Sequence, residues 1–165
     1  MSQVTTTFYT NSHRIQGELR VTERLSEKLN NPLTDFIELS EARISSLAHS
    51  SQAAAVSWPL ATIPKSAILM ATLDMEEHES RQTRIDKVQS KTGSQVGAIV
   101  GTIEVYGTGH LRFTGSAARV MSSQLQPFFP VTNAVLQLSQ REDDNQIGTG
   151  LALINRDMVQ AFTLL

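Results

Sequence analysis

"FIELSEARI" occupies Phe36–Ile44, and "FFPVTNAVL" occupies Phe128–Leu136, ninety-two residues further on. The two stretches share an apolar skeleton. Phe36 matches Phe128, Leu39 matches Val131, Ala42 matches Ala134, Ile44 matches Leu136, and Ser40 falls on Thr132. In the first stretch Ile37 and Leu39 are two apart, which puts them on one face of a strand. The apolar phase then drifts toward Ala42 and Ile44, as a bend or bulge would make it do. In the second, adjacent phenylalanines point to opposite faces of a strand. One of Phe128 and Phe129 must therefore leave the local core for a helix, the other half of the chain or another chain.

Two further blocks recur in the same order. "IQGELRV" (Ile15–Val21) matches "IVGTIEV" (Ile99–Val105), with Gly17 aligned on Gly101. "IPKSAILMATL" (Ile63–Leu73) matches "INRDMVQAFTL" (Ile154–Leu164), with Lys65 on Arg156, Ile68 on Val159 and Thr72 on Thr163. The offsets of the three blocks are 84, 92 and 91 residues. Ordered self-similarity of this kind implies an internal repeat, with an insertion of about eight residues between Val105 and Phe128.

The local pattern is mostly of period two. Leu19 and Val21 alternate with Glu18 and Arg20, and Ile103 and Val105 flank Glu104, so both runs read as half-buried strands. "AAAVSWPLATI" is a further strand whose Pro59 confines it to an edge or breaks it. "SAILMATL" is a continuous apolar run with strand-compatible residues. A short helix precedes the phenylalanine block in each copy. Leu25 and Leu29 stand four apart before Asn30-Asn31-Pro32; later Ser116 caps a run with Val120, Met121 and Leu125 that Pro127 ends. "DMEEHESRQTRIDKVQSKTGSQ" (Asp74–Gln95) is polar and charge-mixed, a linker or surface loop, and "SQREDDNQIG" (Ser139–Gly148) reads as a solvated hairpin turn.

The expected fold is all-β, β-dominated with short helices, as two tandem small barrels. Residues 1–75 form the first, 76–95 the polar linker and 96–165 the second. Closure into a barrel removes exposed strand edges, and pairing two units helps bury apolar surface that a unit of about seventy residues leaves over.

The pattern resembles an uncharacterised family of small bacterial domains. Arg24-Leu25-Ser26-Glu27, Phe36 to Ala42 and Ile63-Pro64-Lys65 carry it in the first copy. Phe128 to Ala134 and Ile154-Asn155-Arg156-Asp157 carry it in the second, where the helix start departs from the pattern. The resemblance implies a duplicated Sm-like or SH3-like barrel. It brings neither an activity nor catalytic residues.

Composition narrows the function classes. Of 165 residues, 40% are hydrophobic and 18% charged, enough apolar content for a buried core. The formal net charge of −2 argues against a protein devoted to gripping phosphate backbones. With no cysteine, disulfides, thiolate catalysis and thiolate metal sites are excluded. A cytoplasmic setting fits, since neither a secretory leader nor a membrane-spanning run is expected.

No motif commits the chain to catalysis. His13, His49, His78 and His110 are scattered, without the three- or four-residue spacing of a helical metal site. Glu76, Glu77 and Glu79 flank His78 in what reads as solvated linker, and Glu142-Asp143-Asp144 reads as a soluble hairpin tip. Neither "GAIVG" nor "GTGHLRFTG" has a dinucleotide-binding spacing, there is no P-loop, and no serine lies in a nucleophile elbow. "KTGS" (Lys91–Ser94) lacks the companion motif of a penicillin-binding site. No cofactor, metal or catalytic residue is expected.

Two kinds of surface remain. Trp58, in "AAAVSWPLA", and Phe128 and Phe129, in "QPFFP", are the protein-contact candidates; packing into the core is the competing reading for Trp58. Tyr106, His110, Arg112 and Phe113 are the nucleic-acid candidates, an aromatic-basic cluster of the kind that stacks single-stranded bases; Phe8, Tyr9, His13 and Arg14 form a second such cluster. The sequence thus favours a non-enzymatic binding, regulatory or scaffold module that contacts protein and self-associates, without membrane insertion. An RNA- or DNA-binding protein is the alternative. A ligand-binding protein or enzyme with a pocket between the repeats comes third.

Overall fold

In the computed structural model, which describes residues 2–48, 55–73, 92–111, 115–123, 125–139 and 146–165, the chain opens with a hairpin. Strand β1 (Ser2–Tyr9) runs antiparallel to β2 (His13–Val21). Helix α1 (Leu25–Asn30) follows, burying Leu25 and Leu29, the pair spaced for one face. Strands β3 (Phe36–Ser46), β4 (Val56–Pro64) and β5 (Met70–Leu73) complete the first half, with a single 3₁₀ turn at Lys65–Ala67 between the last two.

The second half repeats the order: β6 (Thr92–Val100), β7 (Ile103–Leu111), α2 (Ala117–Ser123), β8 (Phe128–Leu138), β9 (Gln146–Asn155), a 3₁₀ turn at Arg156–Met158, and β10 (Val159–Leu164). Strand β6 thus begins inside the stretch expected to be linker. Ser116 caps α2 through its hydroxyl, which accepts from the Arg119 N–H at 3.3 Å.

All ten strands join one antiparallel sheet, in the order β10-β6-β7-β8-β9-β5-β1-β2-β3-β4. The expectation of two separate barrels gives way here. Strands β5 and β9 pair with each other, so the halves share one sheet, and that sheet is open, with β4 and β10 at its ends. Each half nevertheless follows one pairing scheme, β5-β1-β2-β3-β4 in the first and β10-β6-β7-β8-β9 in the second.

The register of the halves corrects the alignment of the glycine block. Gly101 lies in the β6–β7 hairpin turn at φ +59°, whereas Gly17 lies within β2. The residue placed like Gly17 is Gly107. A Cβ on Gly17 would stand 2.8 Å from the Ser40 carbonyl oxygen and 3.3 Å from the Ala42 Cα; one on Gly107 would stand 2.8 Å from the Thr132 carbonyl oxygen and 3.1 Å from the Ala134 Cα. Both sites face a bulge. Glu41 and Asn133 take left-handed conformations, φ 50° and 48°, and the register slips beside each. These bulges produce the phase drift of the phenylalanine blocks: Ile37, Leu39 and Ala42 are all buried. With Gly17 matched to Gly107 the first offset is ninety, so the halves differ between β7 and β8 by two residues, not eight.

The apolar side chains divide between two cores, and the division explains the paired phenylalanines. Along β9, Leu151 and Leu153 enter one core while Ala152 and Ile154 enter the other. Phe128 joins the core built mainly by the first half; Phe129 joins that of the second, edge-to-face with Phe162 at 6.2 Å. Strand β5, flanked by β1 and β9, is buried at all four residues, which is why "SAILMATL" lacks a polar alternation.

Polar clamps fasten the halves together. Asn30, the last residue of α1, grips the Phe128 backbone: its Nδ2 donates to the Phe128 carbonyl at 2.9 Å and its Oδ1 accepts from the Phe128 N–H at 2.8 Å. Across the β5–β9 junction, Asn155 donates from its side chain to the Ile68 carbonyl at 2.9 Å and from its backbone to Leu69 O at 2.9 Å. The Thr149 hydroxyl donates to the Leu73 carbonyl at 2.8 Å. Each adds a hydrogen bond to a backbone group of a buried residue at the join between the halves.

Candidate protein-contact edge

Strand β4 is the edge next to β3, which is where a strand containing proline belongs, since Pro59 and Pro64 have no N–H to give a ladder. Its alternation is one-sided. Ala61 and Ile63 are buried, while Val56, Trp58 and Leu60 are exposed at 54%, 52% and 55% of their surfaces. Phe36, at the start of β3, and Leu33 just before it are exposed as well. Trp58 therefore belongs to an apolar fringe along a strand that, among the described residues, is paired on one side. Val56 and Leu60, two residues either side of Trp58, were not singled out from the sequence, although period two marks them as its neighbours on the face.

The other two contact candidates lie elsewhere. Phe128 and Phe129 are buried inside the chain at 4% and 3% exposure, so neither shares a surface with Trp58. Of the three destinations open to one of this adjacent pair, the structure takes the other half of the chain: Phe128 packs in the first core and Phe129 in the second.

Of the nucleic-acid candidates, Tyr106 and His110 both lie on β7. Tyr106 is exposed, and its ring lies over Gly97 on β6, with its hydroxyl donating to a Glu104 carboxylate oxygen at 3.1 Å. His110 is partly buried, with Nε2 2.8 Å from the Thr132 hydroxyl. Arg112 and Phe113 lie outside the described residues, as do His49, His78 and the acidic run Glu142–Asp144. In the N-terminal cluster Phe8 and Tyr9 are core residues and are not available as stacking platforms.

The hydrogen bond to Glu104, then its charge, hold the Tyr106 phenol above the ordinary tyrosine range. Glu104→Gln is expected to return it toward the ordinary value, read from the phenolate absorbance in an alkaline titration. A Tyr106 midpoint unmoved by the substitution contradicts the contact.

Three concavities among the described residues each lie on one half of the chain. One is lined by Gly97, Ala98, Ile99, Tyr106, Ala161 and Phe162 beside the β10 edge. Another, beside β4, is lined by Glu18, Arg20, Lys28, Glu38, Ser40 and Leu60. A third is lined by Arg14, Gln16, Arg43 and Ser45, and there the Arg14 Nε is buried with no hydrogen-bond partner among the described residues. Lys65, at the corner after β4, donates to Asn31 O at 2.9 Å and to the Thr34 hydroxyl at 2.8 Å. Partial burial holds its pKa below the ordinary lysine range, against the opposing pull of Asp35 and Glu23.

Among the described residues no three His, Asp or Glu side chains converge as a metal site would require, and no helix is long and apolar enough to cross a membrane. The fold and the exposed fringe define an all-β protein that presents an apolar strand edge with no pairing strand among the described residues. No family model, curated protein or solved structure matches the chain.

Proposed function

We propose that this protein is a non-enzymatic binding or scaffold module whose working surface is the β4 edge with its Val56, Trp58 and Leu60 fringe. The observation that carries this reading is the coincidence of a strand edge unpaired among the described residues with three large apolar side chains, each more than half exposed. Exposed edges are ordinarily blunted with charge or covered, because their free N–H and C=O groups pair with any extended chain. An edge lined with tryptophan and leucine suits strand addition, in which main-chain bonds supply affinity and alternate side chains supply specificity.

The two halves fit descent from one five-stranded unit of the small-barrel kind. Support comes from the common pairing scheme and from the bulges opposite Gly17 and Gly107. A cytoplasmic, bacterial setting accords with the lack of cysteine and with the resemblance.

A second reading, binding to RNA or DNA, is favoured by one feature: Arg14 and Arg43 line one concavity, two cations of the kind that hold a phosphate. A photo-crosslinking phenylalanine analogue in place of Trp58, irradiated in cell extract, tests the first. A covalent protein–protein adduct supports it, and no protein adduct under any condition counts against it. Nucleic acid that copurifies and leaves as salt is raised supports the second.

A further inference from the structure

We infer that the occupant of the β4 edge is the β10 edge of a second copy of this chain, joined head to tail in the register that β9 and β5 already use within it. This rests on the edge-binding reading above and names its partner.

Strand β9 holds in the second half the place that β4 holds in the first. Asn155 lies opposite Phe128 as Pro64 lies opposite Phe36, and Ile154 opposite Phe129 as Ile63 opposite Ile37. Strand β10 likewise holds the place of β5. Thr163 pairs with Gly97, which pairs with Tyr106, the residue before Gly107; Thr72 pairs with Thr7, which pairs with Gln16, the residue before Gly17. The β9–β5 pair is thus a junction between the fourth strand of one unit and the fifth strand of the other. The two ends of the sheet are the same two kinds of edge, each lacking among the described residues the neighbour its counterpart has.

Within the chain the register is Ile154 with Met70, Leu153 with Ala71, Ala152 with Thr72, and Leu151 with Leu73. Carried to the free edges, it sets Ile63 against Ala161, Thr62 against Phe162, Ala61 against Thr163 and Leu60 against Leu164. Pro59 and Pro64 bracket this window without entering it.

Burial supports the same assignment. Leu151 is 1% exposed where its counterpart Leu60 is 55% exposed. All four residues of β5 are buried, whereas no residue of β10 is. The edges also differ from the internal junction in two places: Pro64 stands where Asn155 donates its N–H, and Trp58 where the Thr149 hydroxyl bonds β5. The junction between copies therefore has fewer polar clamps than the one within the chain, and it exchanges. Because the two edges are unlike, the contact is heterologous, and it builds rings where the rotation closes and filaments where it does not.

Light scattering coupled to size exclusion, over a wide dilution series, tests this with Leu60→Lys and Leu164→Glu. The wild-type chain is expected to run above 18.1 kDa and to shift toward that mass on dilution. Each variant alone lacks one half of the contact, and its dissociation constant is expected to rise about tenfold to a hundredfold. Mixing the variants restores a wild-type β4 edge on one chain and a wild-type β10 edge on the other, so a species of two chains or more is expected to return. Ala161→Glu serves as a second β10 variant if Leu164→Glu lowers the unfolding midpoint. A wild-type chain that is monomeric throughout overturns the inference. So does a Leu164→Glu chain whose dissociation constant equals that of the wild type, since that is the behaviour of β4 meeting β4. If the wild type is monomeric and the Trp58 probe still labels a different protein, the edge-binding reading stands without this partner.

Discussion

Phe128→Ala and Phe129→Ala are each expected to lower the free energy of unfolding by about 3–5 kcal/mol, the cost of removing a buried aromatic side chain and leaving its cavity. Both rings are almost wholly buried, so equilibrium unfolding in urea is the direct measurement. The informative part is where the damage falls. Phe128 belongs by sequence to the second half but packs in the core of the first, among Ile37, Leu39 and Ile68. Its removal is expected to speed hydrogen exchange in β1 and β5. Phe129 packs beside Phe162 of β10, and its removal is expected to loosen β6 and β10 instead. Neither substitution touches the exposed fringe directly. Trp58→Ala is the contrast: stability within about 0.5 kcal/mol of the wild type, with the effect confined to association. A large stability loss at Trp58, or a cost below about 1 kcal/mol at both phenylalanines, contradicts this placement.

Gly107→Ala and Gly17→Ala are expected to cost about 1–3 kcal/mol each, the range for forcing extra atoms into a packed interior. An added Cβ at Gly107 would come within 2.6 Å of Val131 Cγ1 and 2.8 Å of the Thr132 carbonyl oxygen. The valine methyl can give way; the bulged backbone behind it cannot without losing its own pairing. Gly17 meets a carbonyl oxygen at the same 2.8 Å. Gly148→Ala is the control, because nothing lies within 4 Å of its Cβ position, and a change of no more than about 0.5 kcal/mol is expected there. Similar losses at Gly17 and Gly107 are the energetic counterpart of their matched positions. A Gly101→Ala loss would arise differently, from the left-handed turn and from Leu69, whose Cδ1 lies 2.7 Å from the Cβ position.

How much of this was legible beforehand depends on the element. The α1 leucines, the Ser116 cap, the bulge in Phe36–Ile44 and the edge position of the Pro59 strand were all readable, because each rests on a few consecutive residues. The glycine alignment went wrong for an equally local reason. "IQGELRV" and "IVGTIEV" share letters, but the first is one strand and the second spans a hairpin turn. Strand β1 was not read at all, since "SQVTTTFY" is polar at alternate positions only in part and ends in two core aromatics. The Trp58 surface was legible in part: the tryptophan and proline stood out, while Val56 and Leu60 become its partners only once Ala61 and Ile63 are known to turn inward.

By itself the sequence determined an all-β chain with two short helices and an apolar pattern written twice, since period and capping act over a few residues. Only the tertiary structure decided that the two patterns share one open sheet, that Phe128 and Phe129 serve different cores, and that β4 and β10 are left as ends. Those outcomes depend on which strand edges meet. Edge pairing joins residues some eighty positions apart, such as Met70 with Ile154. It is settled by mutual burial and main-chain hydrogen bonding, which no single stretch of the chain encodes.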